Sequence, residues 1–388
     1  MILCAIVYDL KGYQRNRRFW ECFTLVALIL LAGLRFRMGT DSIYYESEFA
    51  TWKKIWELDY DYFSFSHSNL KHYAPLYIIF CSFLRSITSE FVVVQLIYAI
   101  FINSAIFYAI KTCGFSKYLF TIVLFYFVNL YYNLNTEVLR ESIAVGIFLF
   151  SIEDLYKRRY KTYYLKAILA IGFHFGAFFL LVLPLLRGLS INKTFIAVTI
   201  IIALVFPIIS KIPVVDLMIQ YASGEILTGF LAAYASDIEI SSLENGVSIN
   251  LIILQYLIPL GCCLYIKKIY PELVKYDFML IAYMLIIWAN ILYLPIFSRF
   301  CNYTSLFYYA FLSATIIEIV RHHCWKSWVV YLLVLVPFSI TAYNSWVNAY
   351  VDELRSNSYR IELIKPYTSV LNPRRIPERE TIFYELRK

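Results

Sequence analysis

Charge is what this sequence has least of. Only 16% of its 388 residues are Asp, Glu, Lys or Arg, where soluble globular chains carry about 25%. The eight cysteines include no Cys-x-x-Cys pair, and Cys22, Cys81, Cys262 and Cys263 lie inside apolar runs. They read as buried small hydrophobes, which argues against a disulfide framework or a thiolate metal site. The start lacks the small-residue cleavage site of a secretory signal. No nucleic-acid module, internal repeat or low-complexity stretch is present.

What is there is apolar. Hydrophobic residues make up 61% and the mean hydropathy is +0.64, which predicts an all-α, polytopic integral membrane protein of about nine full spans. Aromatic residues reach 19%, mostly 35 Tyr and 31 Phe, and such rings suit both membrane interfaces and sugar faces. The net charge of +8 is read loop by loop, because Lys and Arg mark the cytoplasmic side.

Met1 to Leu10 is too short to span, and Lys11, Arg15, Arg17 and Arg18 place the start in the cytoplasm. A first span, Trp20 to Leu34, exits at Arg35. The loop that follows, 37–71, is rich in acids (Asp41, Glu46, Glu48, Glu57, Asp59, Asp61) and rings (Trp52, Trp56, Tyr60, Tyr62), which suits the outer side. Ala74 to Leu84 is barely long enough to cross, whereas Phe91 to Ile110 spans. Tyr118 to Leu134 and Val138 to Tyr156 follow, the second ending in the basic run Lys157 to Lys161.

Counting back from that cytoplasmic run makes Ala74 to Leu84 re-entrant. A second parity conflict is resolved if Leu165 to Leu186 is a hairpin broken at Gly172-Phe173-His174-Phe175-Gly176. Irregular backbone at such depth needs cover from protein or a water-filled cavity. Further spans are read at Thr194 to Ile209, Ile249 to Ile266, Phe278 to Phe297, Tyr303 to Val320 and Trp328 to Val347. Among these segments lie an acidic outer loop, 211–247, and a solvated turn at Arg321-His322-His323. The transmembrane domain is read as 1–350, with a polar outer tail over 351–388.

This topology brings Arg35, Arg37, Asp41, Arg140, Glu141, His174 and Arg299 to the outer face. Ionisable groups inside a membrane are expensive and so are functional candidates by default. Four arginines near one level suit a multiply charged anion, because a guanidinium matches phosphate geometry in pairs and keeps its charge when desolvated. Plainer readings stand beside this one. Arg35 and Arg37 can snorkel to headgroups, Gly39-Thr40-Asp41 can be an ordinary turn, Arg140 can pair with Glu137, His174 can be structural, and Arg299 can anchor its helix.

The order of these motifs carries a resemblance. Arg35-x-Arg37-x-Gly39-Thr40-Asp41 with Tyr45, then Leu139-Arg140-Glu141-Ser142-Ile143-Ala144, then Phe173-His174-Phe175-Gly176-Ala177, then Arg299 with Tyr303, resembles the EpsG-like exopolysaccharide polymerases, relatives of the Wzy polymerases of O-antigen and capsule. The likeness runs from about Leu25 to Tyr303 and on toward Pro366-Tyr367. The chain departs from the pattern at Ser42, where members often carry Tyr, and at Ala74, where many carry Glu. It also departs in having only Met1 to Leu10 before the first basic loop. The resemblance implies a polymerase that joins lipid-linked oligosaccharide units on the outer face of a bacterial inner membrane.

The residues fit that chemistry by themselves. A sugar chain on polyprenyl diphosphate already has a good leaving group, so neither a nucleotide nor a redox cofactor is needed. The protein must neutralise charge on the departing diphosphate and activate an acceptor hydroxyl. Arg35, Arg37, Arg140 and Arg299 are assigned to diphosphate, with Gly39, Tyr45 and Tyr303 beside them, and Asp41 or His174 is the candidate base. No metal cluster is visible, although Asp41 with Glu46 or Glu48 could hold a divalent ion. Expected partners are the lipid-linked oligosaccharides, the bilayer, and chain-length regulator and flippase proteins. A flippase of lipid-linked oligosaccharide or a glycan ligase would need similar arginines.

Overall fold

A computed structural model describes residues 1–59, 73–198, 257–291, 297–323, 329, 331–332 and 365–385. The described residues are helical and contain no strand beyond two isolated β-bridges. The expected spans at Thr194 to Ile209 and Trp328 to Val347, and the 211–247 loop, lie wholly or largely outside them. Two compact units emerge, one made of Met1–Phe178 with Ile316–Lys388 and the other of Phe179–Thr315.

In the first unit a helical lead, Ile2–Cys4 and Ala5–Leu10, precedes α1 (Arg17–Gly33), α2 (Thr40–Phe49), α3 (Pro75–Ile87), α4 (Phe91–Thr112), α5 (Leu119–Tyr126), α6 (Leu139–Tyr156) and α7 (Tyr160–Phe173). Expected and observed helices agree closely at α1, α4 and α6, where long apolar runs end at basic residues or glycine. The helix α4 is long and apolar enough to cross a membrane. With 13 residues, α3 rises only about 20 Å, less than the hydrocarbon thickness. The small residue Gly146 lets α6 approach α4, since a Cβ there would meet Phe101 at 2.4 Å.

The second unit carries α8 (Ile258–Ile269), α9 (Asp277–Ile291) and α10 (Phe297–His323), whose last residues belong to the first unit. Residues Arg299–His322 of α10 form the second segment able to cross a membrane among the described residues. Within this unit Tyr283 stacks on Tyr308 at 5.1 Å, and Asp277 accepts the backbone N–H of Ile191 at 3.1 Å.

Three expectations need correction. Cys22 is exposed, on the same side of α1 as Phe19, Phe23 and Val26, because it falls on the helix stripe turned away from the protein. Arg17 is not a solvated loop residue: it is buried, bonded to Asp9 Oδ1 at 3.1 Å, Glu21 Oε1 at 3.1 Å and the Tyr8 carbonyl at 2.9 Å. Nor is Arg321 part of a solvated turn. It ends α10 by donating to the carbonyls of Leu10 and Asp9, which the helical lead leaves open at its C-terminus. Asp9 itself is fully buried and accepts from Thr121 through both N–H and hydroxyl. Basic groups read as cytoplasmic thus share one network with the lead. Lys111 joins it through Glu21, and Lys117 and Arg321 meet at Glu318.

Between α5 and α6 the chain widens into two π-helical turns, Phe127–Tyr131 and Asn133–Glu137. Such wide turns are uncommon and concentrate at functional sites. A closed set of amide and phenol bonds holds this one. Asn103 on α4 donates to Asn135 at 2.9 Å, Asn135 donates to Tyr126 OH at 3.0 Å, and Tyr126 donates back to Asn103 at 3.0 Å. The widening directs Tyr131, Tyr132 and Glu137 toward the end of α1.

Candidate functional site

The segment leaving α1 is where those residues converge. Arg35 is only 2% exposed. Its Nη1 donates to the Ala32 carbonyl at 2.5 Å, while its Nε and Nη2 have no hydrogen-bond partner among the described residues. Tyr131, Tyr132, Glu137 and Tyr367 are close enough to favour its charge, yet burial dominates and lowers its pKa to about 10. It is therefore still a cation at neutral pH. A buried guanidinium with two unsatisfied donors is costly in isolation, and an anion is the ligand that would repay that cost.

Gly39 makes the next turn. Its φ of +83° and ψ of 162° lie in a region that essentially only glycine visits. A Cβ there would stand 2.1 Å from Glu137 Oε1 and 2.7 Å from Tyr132 OH. The close approach lets Glu137 Oε2 accept the Asp41 N–H at 3.1 Å, so a carboxylate from the π-turn caps α2. Tyr132 donates to the other carboxylate oxygen at 2.8 Å. Asp41 sits half-buried in the first turn of α2. The expected pairing partner of Arg140, Glu137, is thus committed to this cap.

Arg140, in the first turn of α6, lies over the ring of Tyr73 at 4.5 Å and is hydrogen-bonded to Tyr45. Burial raises the hydroxyl pKa of both tyrosines, so they remain neutral phenols. Tyr73 also donates to Glu48 Oε1 at 2.5 Å and touches Trp52 and Tyr77 in a ring cluster. Arg35, Gly39, Asp41, Tyr45 and Arg140 are therefore gathered around α2 and the start of α6.

Arg37 behaves differently from the diphosphate ligand expected of it. Its Nε and Nη2 donate to the two oxygens of Glu380, each at 2.6 Å, and its Nη1 donates to Glu46 at 2.8 Å. Two carboxylates thus meet its charge.

The tail that supplies Glu380 was read only as a polar outer segment, and its docking is what sequence reasoning missed. Residues 34–36 pair with 368–370: Phe36 N donates to the Thr368 carbonyl at 2.8 Å and Val370 N to the Leu34 carbonyl at 2.9 Å, around the Arg35 and Ser369 bridge. Tyr367 donates to the Leu31 carbonyl at 3.0 Å. The helix α11 (Pro377–Glu385) then brings in Arg379, only 1% exposed. The charge and ring content of the tail gave no periodic signal for this.

His174 occupies the expected break. The helix α7 stops at Phe173, His174 is extended, and a 3₁₀ stretch runs over Phe175–Leu181. Gly176 leaves room for the imidazole, since a Cβ there would meet its Cε1 at 2.7 Å. Gly172 packs on Leu76, three residues after Tyr73, so α3 links His174 to the Arg140 side. Arg299 and Tyr303 belong to the second unit. Arg299 is exposed in the first turn of α10, and Tyr303 is buried edge-on to Phe179 at 4.9 Å.

Comparison with curated proteins and with solved structures gave no match. A family model, that of the EpsG family, matches residues 18–369. That stretch holds nearly all of α1, the Arg35 loop, the π-turn, Arg140, the His174 break and the Tyr367 to Ser369 segment. This apolar helical membrane chain belongs to the EpsG family, a family of exopolysaccharide polymerases.

Proposed function

We propose that this protein is a polysaccharide polymerase, a glycosyltransferase that joins polyprenyl-diphosphate-linked oligosaccharide units on the outer face of the inner membrane. The products in view are exopolysaccharide, capsule or O-antigen. The observation that carries the reading is the buried Arg35 guanidinium, whose Nε and Nη2 lack partners among the described residues, in a family-matched loop. In this reading Arg35 and Arg140 receive the diphosphate and stabilise charge as it leaves. Tyr45 orients Arg140, and Gly39 lets the loop backbone approach the ligand. Arg299 and Tyr303 are kept as candidate substrate-binding residues on the strength of their motif alone. Arg37 holds the loop.

Asp41 or His174 takes the proton from the acceptor hydroxyl. Attack of that hydroxyl on the anomeric carbon forms the new glycosidic bond and breaks the bond to diphosphate, which leaves on the polyprenyl carrier. The chain crosses the membrane about nine times in this reading, with α3 entering and leaving one face and admitting the lipid from the side. Partner proteins would be a flippase that delivers units and a regulator of chain length.

The test is the length distribution of lipid-linked glycan in cells whose own copy is replaced by Arg35→Ala or Arg140→Ala. Single units should accumulate on lipid at the outer face while the protein still inserts. Long glycan at normal yield from both variants would sink the reading. Units that pile up on the cytoplasmic side would instead make the protein a flippase.

A further inference from the structure

The helix that pins the first loop lies beyond the family-matched stretch, which ends at residue 369. Two neighbouring residues of α11 do the pinning. Glu380 takes the Arg37 guanidinium in a two-pronged pair, both bonds at 2.6 Å. Arg379 turns the other way into the protein. Its Nη1 donates to the Arg37 carbonyl and to Thr368 Oγ1, both at 2.9 Å, and its Nη2 donates to the Pro366 carbonyl at 2.9 Å. One short helix thus grips both the side chain and the backbone of Arg37.

That residue needs gripping. Arg37 has φ +46°, a left-handed conformation that is unfavourable for a non-glycine residue. In a fully extended stretch residues 35 and 37 would face the same side, and their two cations would compete for one ligand. The left-handed turn separates them: Arg35 goes into the protein, while Arg37 meets Glu46 and Glu380.

We propose that Arg379 and Glu380 are positioning residues of the diphosphate site. They hold the turn at Arg37 so that Arg35 alone presents its charge inward. The inference rests on the polymerase reading above. Neither residue touches substrate; they act through the backbone of residues 35–37.

The experiment compares Glu380→Gln, Arg379→Ala, the single Arg37→Glu and the exchange Arg37→Glu with Glu380→Arg, each in membranes with matched amounts of inserted protein, alongside Arg140→Ala. With lipid-linked repeat unit as substrate, Glu380→Gln should raise KM roughly tenfold with a smaller change in kcat, as loss of one charge-assisted pair implies. Arg379→Ala should do the same, and the exchange should recover part of what Arg37→Glu loses, since Glu46 still faces position 37. The proposal is overturned if Glu380→Gln and Arg379→Ala keep wild-type KM, or if the exchange is no better than the single changes. In that case a defective Arg140→Ala leaves the polymerase reading standing. Wild-type activity in Arg140→Ala as well would overturn both.

Discussion

The guanidinium of Arg140 lies 4.5 Å from the centre of the Tyr73 ring and is hydrogen-bonded to Tyr45. A planar, delocalised cation suits both contacts, whereas a lysine ammonium offers neither the flat face nor the fork. Arg140→Lys should therefore insert and fold but make long glycan at a tenth of the normal yield or less, a loss of about 1.4 kcal/mol or more in the transition state. Wild-type glycan from this variant would show that charge alone suffices.

Gly39 makes a second, sharper test. At its φ of +83°, and with Glu137 Oε1 2.1 Å from the position of an added Cβ, Gly39→Ala must break the Glu137 cap on α2 or distort the loop. The cost should be about 2 to 4 kcal/mol, from strain together with a lost cap. A thermal melt in detergent should shift downward, and polymer should be lost with it. An unchanged melt would mean that the turn can form in another way.

The Arg37 to Glu380 contact has a defined pH dependence. Hydrogen bonding from Arg37, with the charges of Arg37, Arg375 and Arg379, holds the Glu380 carboxyl below its ordinary 4.5. Glu46 is the other carboxylate on the same guanidinium. The docked tail therefore binds fewer protons than a released one. Its contribution to stability is whole above the unfolded value and fades as pH falls through the folded one. Hydrogen exchange across Pro377–Glu385 should be slow and equal at pH 7 and 5 after correction for intrinsic rates, with release only below about pH 4. Release between pH 7 and 5 would contradict the pairing.

The Asn103, Asn135 and Tyr126 ring of hydrogen bonds supports the π-turn from behind. Asn135→Leu would leave the Asn103 amide and the Tyr126 hydroxyl buried without their partner, at about 2 to 3 kcal/mol. The expected result is a lower melting temperature, and weakened polymer formation through displacement of Glu137. A stable protein with a normal melt would show that the network is dispensable.

Much of this was legible beforehand, because hydropathy and basic run-ends fix where apolar helices begin and stop. The helices at Arg17–Gly33, Phe91–Thr112 and Leu139–Tyr156 follow from that alone, and Gly172 to Gly176 marked a real interruption. The loop at Arg35 and the start of α6 were also readable as one level. The pairing of Arg37 escaped because its two carboxylate partners lie nine and 343 residues away, and local charge pattern holds no trace of the second. The π-turn escaped for a similar reason: its wide geometry is set by Asn103 on another helix, and the local sequence simply reads as apolar helix. Arg17 and Arg321 looked like loop charges because several of their acceptors, the Tyr8, Asp9 and Leu10 carbonyls and the buried Asp9 carboxylate, lie on the helical lead and leave no periodic mark in the sequence.

The docking of residues 366–370 and 379–380 onto residues 34–37 also says something about when the protein becomes active. Arg37 and Arg379 lie 342 residues apart, so the loop leaves the ribosome long before the segment that grips it. No unfinished chain can hold the arrangement around Arg35 described above. The arrangement is completed only once synthesis has passed residue 380.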